Sequence, residues 1–400
     1  MIIVLSESKF TEFSYINYEL DIFEKKLKEK IEIHDLSKII NPKWRSFWKT
    51  KNHKKAKVFD TINQWENYLK KINKKNERII VFNELWGTTI MSLIVQFKLS
   101  KYVKKIVVFK SPGRPIRPAR GKNIFFIYKK IIRIILNPSQ LIHKEIIFFL
   151  KIKILKILSK LIIFNEIYIM RSGKINNFII NLGAKKKKII DYHFRDYDRL
   201  ISLKREKINY KNPIAVFLDT PDPYFKDDFK LFKKIIKYNK IEWYKDLNNY
   251  LLNFEKINFC KVVIIPHSKV KGIKNPYYNK NFEVCHDLDA VHKLIPVSKF
   301  VITINASTAI NLAVACKKPV IFIYNEQQEK LNESLLEDVR FVAQKCNSSL
   351  ININNYSSTK ETETINKKFY ENYLYNYVTS RNISKKKNYE IINNLLEINK

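Results

Sequence analysis

The chain has 400 residues, long enough for two domains, and 46% of them are hydrophobic, which excludes global disorder. Its 75 Lys+Arg stand against 38 Asp+Glu, a formal charge of +37 that calls for an anionic partner: nucleic acid, an anionic membrane surface or a phosphorylated substrate. Lys, Asn and Ile are abundant and Gly and Ala scarce, the residues of AT-rich codons, so solvated lysine faces are the alternative to any specific partner.

The amino terminus, "MIIVLSESKF", has no basic n-region or long apolar core and reads as a first strand rather than a signal peptide. A charged helix follows over 16–32, then "IEIHDL" (31–36). "RIIVFNE" (78–84) and "KKIVVFK" (104–110) read as strands around a helical "LWGTTIMSLIVQFKLS" (85–100). After the Pro/Arg loop 111–121 come two apolar stretches, Ile124–Leu136 and Leu141–Phe164. Lys144, Glu145, Lys151, Lys153, Lys156 and Lys160 interrupt the second, so it is an impure amphipathic helix and not a membrane span. Interfacial membrane binding and a core helix with snorkelling lysines both fit it. "EIYIMRSGK" (166–174) and "KKIIDYHF" (187–194) return to strand character, and the charged passage 196–212 reads as a connector.

A second alternating half begins at "PIAVFLDT" (213–220). A helix around Trp243–Lys256 follows, then "KVVIIPHSK" (261–269), "FEVCHD" (282–287), a helix near Leu288–Ser298, and Phe300–Tyr324, "FVITINASTAINLAVACKKPVIFIY". Residues 347–364 are polar and read as a surface excursion, followed by closing helices near 367–379 and 387–398. The pattern predicts an α/β protein: two Rossmann-like domains facing a cleft, with helices closing the chain. The expected divisions are 1–205, 206–346 and 347–400. Ligands of such folds bind beyond the carboxyl ends of strands, so the residues there carry the candidate chemistry.

Three strand ends in the second half stand out. Asp219 and Asp222 flank Thr220-Pro221, with Pro223 next; prolines hold carboxylates that could act as a base, or simply form a turn. His267 ends an apolar strand and is followed by Ser268 and Lys269, a set of phosphate donors. Asn305, Ser307 and Thr308 stand where a strand gives way to a helix; there hydroxyls cap the helix and its first N–H groups can hold an anion. Dinucleotide, P-loop and G-x-S-x-G motifs are absent from the sequence. "DLD" at 287–289 matches the D-x-D of metal-dependent sugar transferases by letter, but it opens a helix and reads as capping, so no metal ligands are assigned. The four cysteines, Cys260, Cys285, Cys316 and Cys346, have no zinc-like spacing and suit a reducing cytoplasm.

Over roughly 165–325, "DYHFRDYDRL", "VFLDTPDPYFKDDF", "VVIIPHSK" and "SKFVITINASTAINLAVACKKPVIFI" resemble bacterial capsule and O-antigen locus glycosyltransferases of the GT-B type. More distantly, the His and Ser/Thr pattern is similar to sialyl-, polysialyl- and Kdo transferases, which use CMP-linked acidic sugars. The resemblance implies a metal-independent glycosyltransferase with no cofactor beyond its nucleotide-sugar donor. His267, Ser268, Lys269, Asn305, Ser307 and Thr308 would bind that donor, and Asp219 or Asp222 would be the catalytic carboxylate. It further implies a glycan or lipid-linked acceptor entering near Asn83 and Lys110, at the cytoplasmic membrane surface. Ser268 stands where the transferases have proline after the histidine, and the "DTPD" spacing is shorter than in the relatives. The rivals are a phosphotransferase of the teichoic-acid type using CDP-linked alcohols, a basic nucleic-acid-binding protein and a silent scaffold. The basic residues are dispersed rather than gathered with aromatics in a module, so no specific nucleic acid is expected.

Overall fold

The computed structural model describes residues 1–27, 29–45, 51–74, 79–85, 89–110, 115, 117, 154–155, 157–174, 182–202, 210–220, 223–224, 237–356 and 360–397. Asp222, the stretch Ile124–Leu136 and most of Leu141–Phe164 lie outside them.

Two parallel sheets organise the chain. The first holds β1 (Ile2–Ser6), β2 (Ile31–Asp35), β3 (Ala56–Val58), β4 (Ile80–Asn83), β5 (Lys105–Lys110), β6 (Ile163–Arg171) and β7 (Gly183–Asp191), in the order β3-β2-β1-β4-β5-β6-β7. The second holds β8 (Ile214–Leu218), β9 (Lys261–Ile265), β10 (Glu283–Val284), β11 (Phe300–Thr303), β12 (Val320–Tyr324) and β13 (Leu350–Asn352), in the order β10-β9-β8-β11-β12-β13. Every pairing between neighbouring strands is parallel. In each sheet the chain enters at a central strand, winds outward, and returns to the opposite side. The strand order therefore reverses between β1 and β4 and again between β8 and β11, the positions where open α/β sheets bind ligands.

Burial on both faces explains the strand sequences. Ile3 and Leu5 pack into one core layer while Ile2 and Val4 pack into the other. In the second sheet Ile214, Val216 and Leu218 face one layer, and Ala215 and Phe217 face the other. Such strands need side chains that are apolar at every position, which is why "IIVL" and "IAVFL" read as continuous runs rather than alternating ones.

The polar stretch expected as a surface excursion contributes β13, paired to β12 through Phe322–Leu350, Ile323–Ile351 and Tyr324–Asn352. An edge strand is covered less than a central one, so its polar sequence gave no strand pattern. The chain then returns to the first sheet. Ile391, Ile392, Leu395 and Leu396 of the helix Asn388–Glu397 pack in the layer that holds Ile2 and Val4.

The connector is itself partly helical, at Arg195–Ser202. Arg199 is nearly buried there and clamps the two halves: its guanidinium donates to Asp21 at 3.1 Å and to Asp289 at 2.8 Å. Asp289 was expected to cap the helix Ala290–Leu294, but its side chain makes no cap hydrogen bond and is turned to Arg199 instead. Asp287, the other carboxylate of that pair, accepts from the backbone N–H of Asp289 at 2.9 Å and from Lys293 at 2.6 Å. The D-x-D letters thus belong to an ion-pair network and a turn.

Candidate active site

Because β9, β8 and β11 are neighbours and run parallel, their carboxyl ends lie along one edge of the sheet. Adjacent strands are about 4.8 Å apart, so the three loops that carry the candidate residues start within roughly 10 Å of one another.

At the end of β8, the backbone N–H of Asp219 donates to the carbonyl of Ile265 at 3.1 Å, which ties this loop to β9. The hydroxyl of Tyr278 donates to the Asp219 carboxylate. Burial pushes the Asp219 carboxyl up to about 7, against the lowering effect of the Tyr278 and Thr220 hydrogen bonds. The Tyr278 phenol is held well above its ordinary value, first by burial and then by the charge of Asp219. Tyr278 is itself fixed edge-on against Tyr244 at 5.6 Å, and Tyr244 stacks on Tyr277 at 5.3 Å. Asp219 is thus a rigidly placed group that holds its proton through most of the acidic range.

At the end of β9, Pro266 and the half-buried His267 lead into a single 3-10 turn, Ser268–Val270, closed by the Val270 N–H on the His267 carbonyl at 2.9 Å. Ser268 faces a cleft, whereas the side chain of Lys269 lies outside the described residues. Lys271 also lines the cleft and donates to the carbonyl of Asp287. Burial lowers the Lys271 ammonium below its ordinary value, partly offset by the charge of Asp287.

Beyond β11, Thr303 closes a tight turn: its Oγ1 donates to the Asn305 carbonyl at 2.9 Å and accepts from the Asn305 N–H at 3.3 Å. Ser307 Oγ accepts from the Ala309 N–H at 3.2 Å, just ahead of the helix Ile310–Ala315. Ser307 therefore closes a turn before the helix rather than serving as its formal cap. Thr308 is exposed and Asn305 half-buried. The helix has only six residues, so any anion here would rely on hydroxyl, amide and backbone N–H groups more than on a dipole.

The cleft is about 710 Å³ and lies between the halves. Ser268, Lys271 and Leu288 form its carboxy-terminal wall. Its amino-terminal wall comes from the segment after β1, with Thr11, Glu12, Phe13 and Tyr15, and from Lys51–Lys55 between β2 and β3. Of the candidate residues, Ser268 lies on this described lining; Asp219 lies in a neighbouring aromatic niche with Tyr224, Tyr244 and Tyr278, and Ser307 stands two strands from His267.

A smaller cavity of about 100 Å³ sits at the ends of β4–β7, lined by Glu84, Phe109, Ser172, Tyr192 and Arg195 among others. Arg195 pairs with Glu84 and lies over the Tyr18 ring at 4.0 Å. Asn83 of the expected acceptor side accepts from the Leu85 N–H at 3.1 Å and so shapes this turn. The sequence reading missed Glu12, His53 and Arg195. No motif marks them: Glu12 opens the helix Glu12–Asn17, His53 lies in the loop before β3 and Arg195 opens the connector helix, and what each faces depends on the packing of distant strands.

No protein-family model matches the chain, and no curated protein aligns with it significantly. Among solved structures it is similar to the wall teichoic acid polymerase TagF, at 13% identity and a TM-score of 0.50, over 100% of this chain and 89% of that one. The fold is GT-B. MurG from Acinetobacter baumannii aligns over 99% of this chain and 99% of its own at 8% identity and a TM-score of 0.41. UDP-GlcNAc 2-epimerase from Methanocaldococcus jannaschii covers 99% of each chain at 13% identity and the same TM-score of 0.41.

Proposed function

We propose that the protein is a metal-independent glycosyltransferase of bacterial surface-polysaccharide assembly. It moves a sugar from a nucleotide-activated donor to a glycan or lipid-linked acceptor. The observation that supports this reading is that the loops carrying Asp219, His267-Ser268 and Asn305-Ser307-Thr308 leave the adjacent strands β8, β9 and β11 at one end of the second sheet, at its point of strand reversal, with Ser268 lining a cleft walled by the first half.

In this reading the donor phosphate meets His267, Ser268, Lys269, Ser307 and Thr308, with Asn305 shaping the turn. Fixed donors there would stabilise the charge that builds on the departing phosphate. Of the two catalytic candidates, Asp219 retains its proton up to about pH 7 and so suits donation of a hydrogen bond or proton to the donor; Asp222 is the second candidate of the same loop. A CMP-linked acidic sugar is the donor favoured by the sequence resemblance.

Exposed apolar residues support a membrane-surface location for the acceptor. Ile90, Ile94 and Phe97 recur at helical spacing on Ile90–Tyr102, and Ile154, Ile157, Leu158 and Leu161 do so before β6. Lys185–Lys188 lie exposed on the edge strand β7, which pairs with β6. Such a face matches an anionic lipid surface. Among the described residues no helix is long and apolar enough to cross a membrane.

A second reading, transfer of a phospho-alcohol from a CDP-linked donor, is favoured by the likeness to a wall teichoic acid polymerase. One assay separates the two. The purified chain is incubated with a detergent-dispersed bacterial lipid extract and radiolabelled UDP-, GDP- and CMP-sugars or CDP-glycerol. Glycosyl transfer predicts label in the lipid fraction from a sugar nucleotide; label from CDP-glycerol alone would replace that reading with the second.

A further inference from the structure

Transfer of a sugar to a hydroxyl requires a group to take the hydroxyl proton. Among the described residues lining the 710 Å³ cleft, Glu12 is the only carboxylate, and it shares the space with Lys51, Lys54, Lys55 and Lys271. It stands on the wall opposite Ser268, one of the residues at which the leaving phosphate is placed above, and Lys271.

Glu12 is 59% exposed, yet one of its oxygens faces an anchored partner: Oε2 lies 3.3 Å from Nε2 of His53. The His53 ring is buried, stacks on Tyr15 at 4.2 Å and meets Phe10 edge-on at 6.4 Å. Its Nδ1 accepts from the backbone N–H of Lys55 at 3.2 Å. The neutral ring therefore carries its hydrogen on Nε2, aimed at Glu12. Burial lowers the imidazole below its ordinary value despite the opposing charge of Glu12, so the ring stays neutral near pH 7. A buried, doubly braced histidine presenting its N–H to a carboxylate in a cleft is the arrangement that orients a base.

We propose that Glu12 is the catalytic base that deprotonates the acceptor hydroxyl, and that His53 is its positioning residue. This rests on the glycosyl-transfer reading. The acceptor oxygen bonds to the anomeric carbon as the bond from that carbon to the donor phosphate oxygen breaks. The bonding pair leaves with the nucleotide, and the hydroxyl proton passes to Glu12. Base and leaving group stand on opposite walls in this proposal, the placement that an in-line displacement with inversion requires.

The test uses the full chain, the radiolabelled UDP-, GDP- and CMP-sugars and the lipid extract described above, with nucleotide-induced melting shifts as a second readout. Glu12→Gln should lower kcat by about 10²–10⁴-fold while keeping the wild-type melting shift. Glu12→Asp should retain more activity than Glu12→Gln. His53→Gln should lower kcat with the donor KM unchanged, as expected of a group acting through Glu12. If Glu12→Gln keeps kcat within about threefold of wild type, the assignment is wrong. If the wild type transfers label from none of the sugar nucleotides, the glycosyl-transfer reading itself falls and the base assignment with it.

Discussion

Asp219 shows how far a single residue could be read in advance. Its place at a strand end was legible, because an apolar run that stops at a carboxylate and two prolines must turn there. Its environment was not, because Tyr278 arrives from a segment 59 residues away. The raised carboxyl has a measurable consequence. The folded state holds the Asp219 proton from about pH 4 up to about 7, a range in which the unfolded chain has released it. This contribution therefore favours folding below pH 4 and is lost as the pH rises towards 7. Asp219→Asn keeps an acceptor for Tyr278 without titrating. In urea unfolding its stability relative to wild type should rise between pH 4.5 and 8 by on the order of 2 kcal/mol, about half the full linkage value because the carboxyl keeps some solvent contact. A flat difference across that range would show that Asp219 titrates normally.

Elements differ in how much of their form their own residues dictate. The central strands β1, β8 and β11 were legible because burial on both faces demands unbroken apolar sequence. β13 was not, since three half-buried edge residues satisfy its pairing without any pattern. The Arg199 clamp was equally invisible, since Asp21 and Asp289 are far from it in sequence and meet it only once both halves are packed. Gly173, at the end of β6, marks where an element is fixed by a close approach. It has φ +71°, and a Cβ there would stand 2.3 Å from the carbonyl oxygen of Asn376 and 2.5 Å from the N of Tyr377. The neighbouring Lys174 N–H donates to the Tyr375 carbonyl at 3.1 Å, so the backbone cannot easily withdraw. Gly173→Ala combines positive-φ strain with a backbone clash and should cost about 3 kcal/mol or more in chemical denaturation. A loss under about 1 kcal/mol would mean the carboxy-terminal segment is not seated against β6 as described.

For the whole molecule, alternation of strand and helix in two halves was enough to predict two parallel sheets, and the sheets are there with their order reversals at β1/β4 and β8/β11. What alternation cannot supply is how the halves face each other, because that depends on long-range contacts such as Arg199 and the return of the helix Asn388–Glu397 to the first sheet. Those contacts set the cleft, and the cleft gives the strand ends their proposed role. The central claim is that a nucleotide binds at the carboxyl ends of β8, β9 and β11. It is tested most directly by thermal melting of the full chain against a panel of nucleoside mono- and diphosphates, repeated with the combined variant His267→Ala/Ser307→Ala/Thr308→Ala. The account predicts that one nucleotide at about 100 times its Kd raises Tm by roughly 2–4 °C in the wild type and leaves the variant unmoved. No shift with any nucleotide, or an equal shift in the variant, would contradict it.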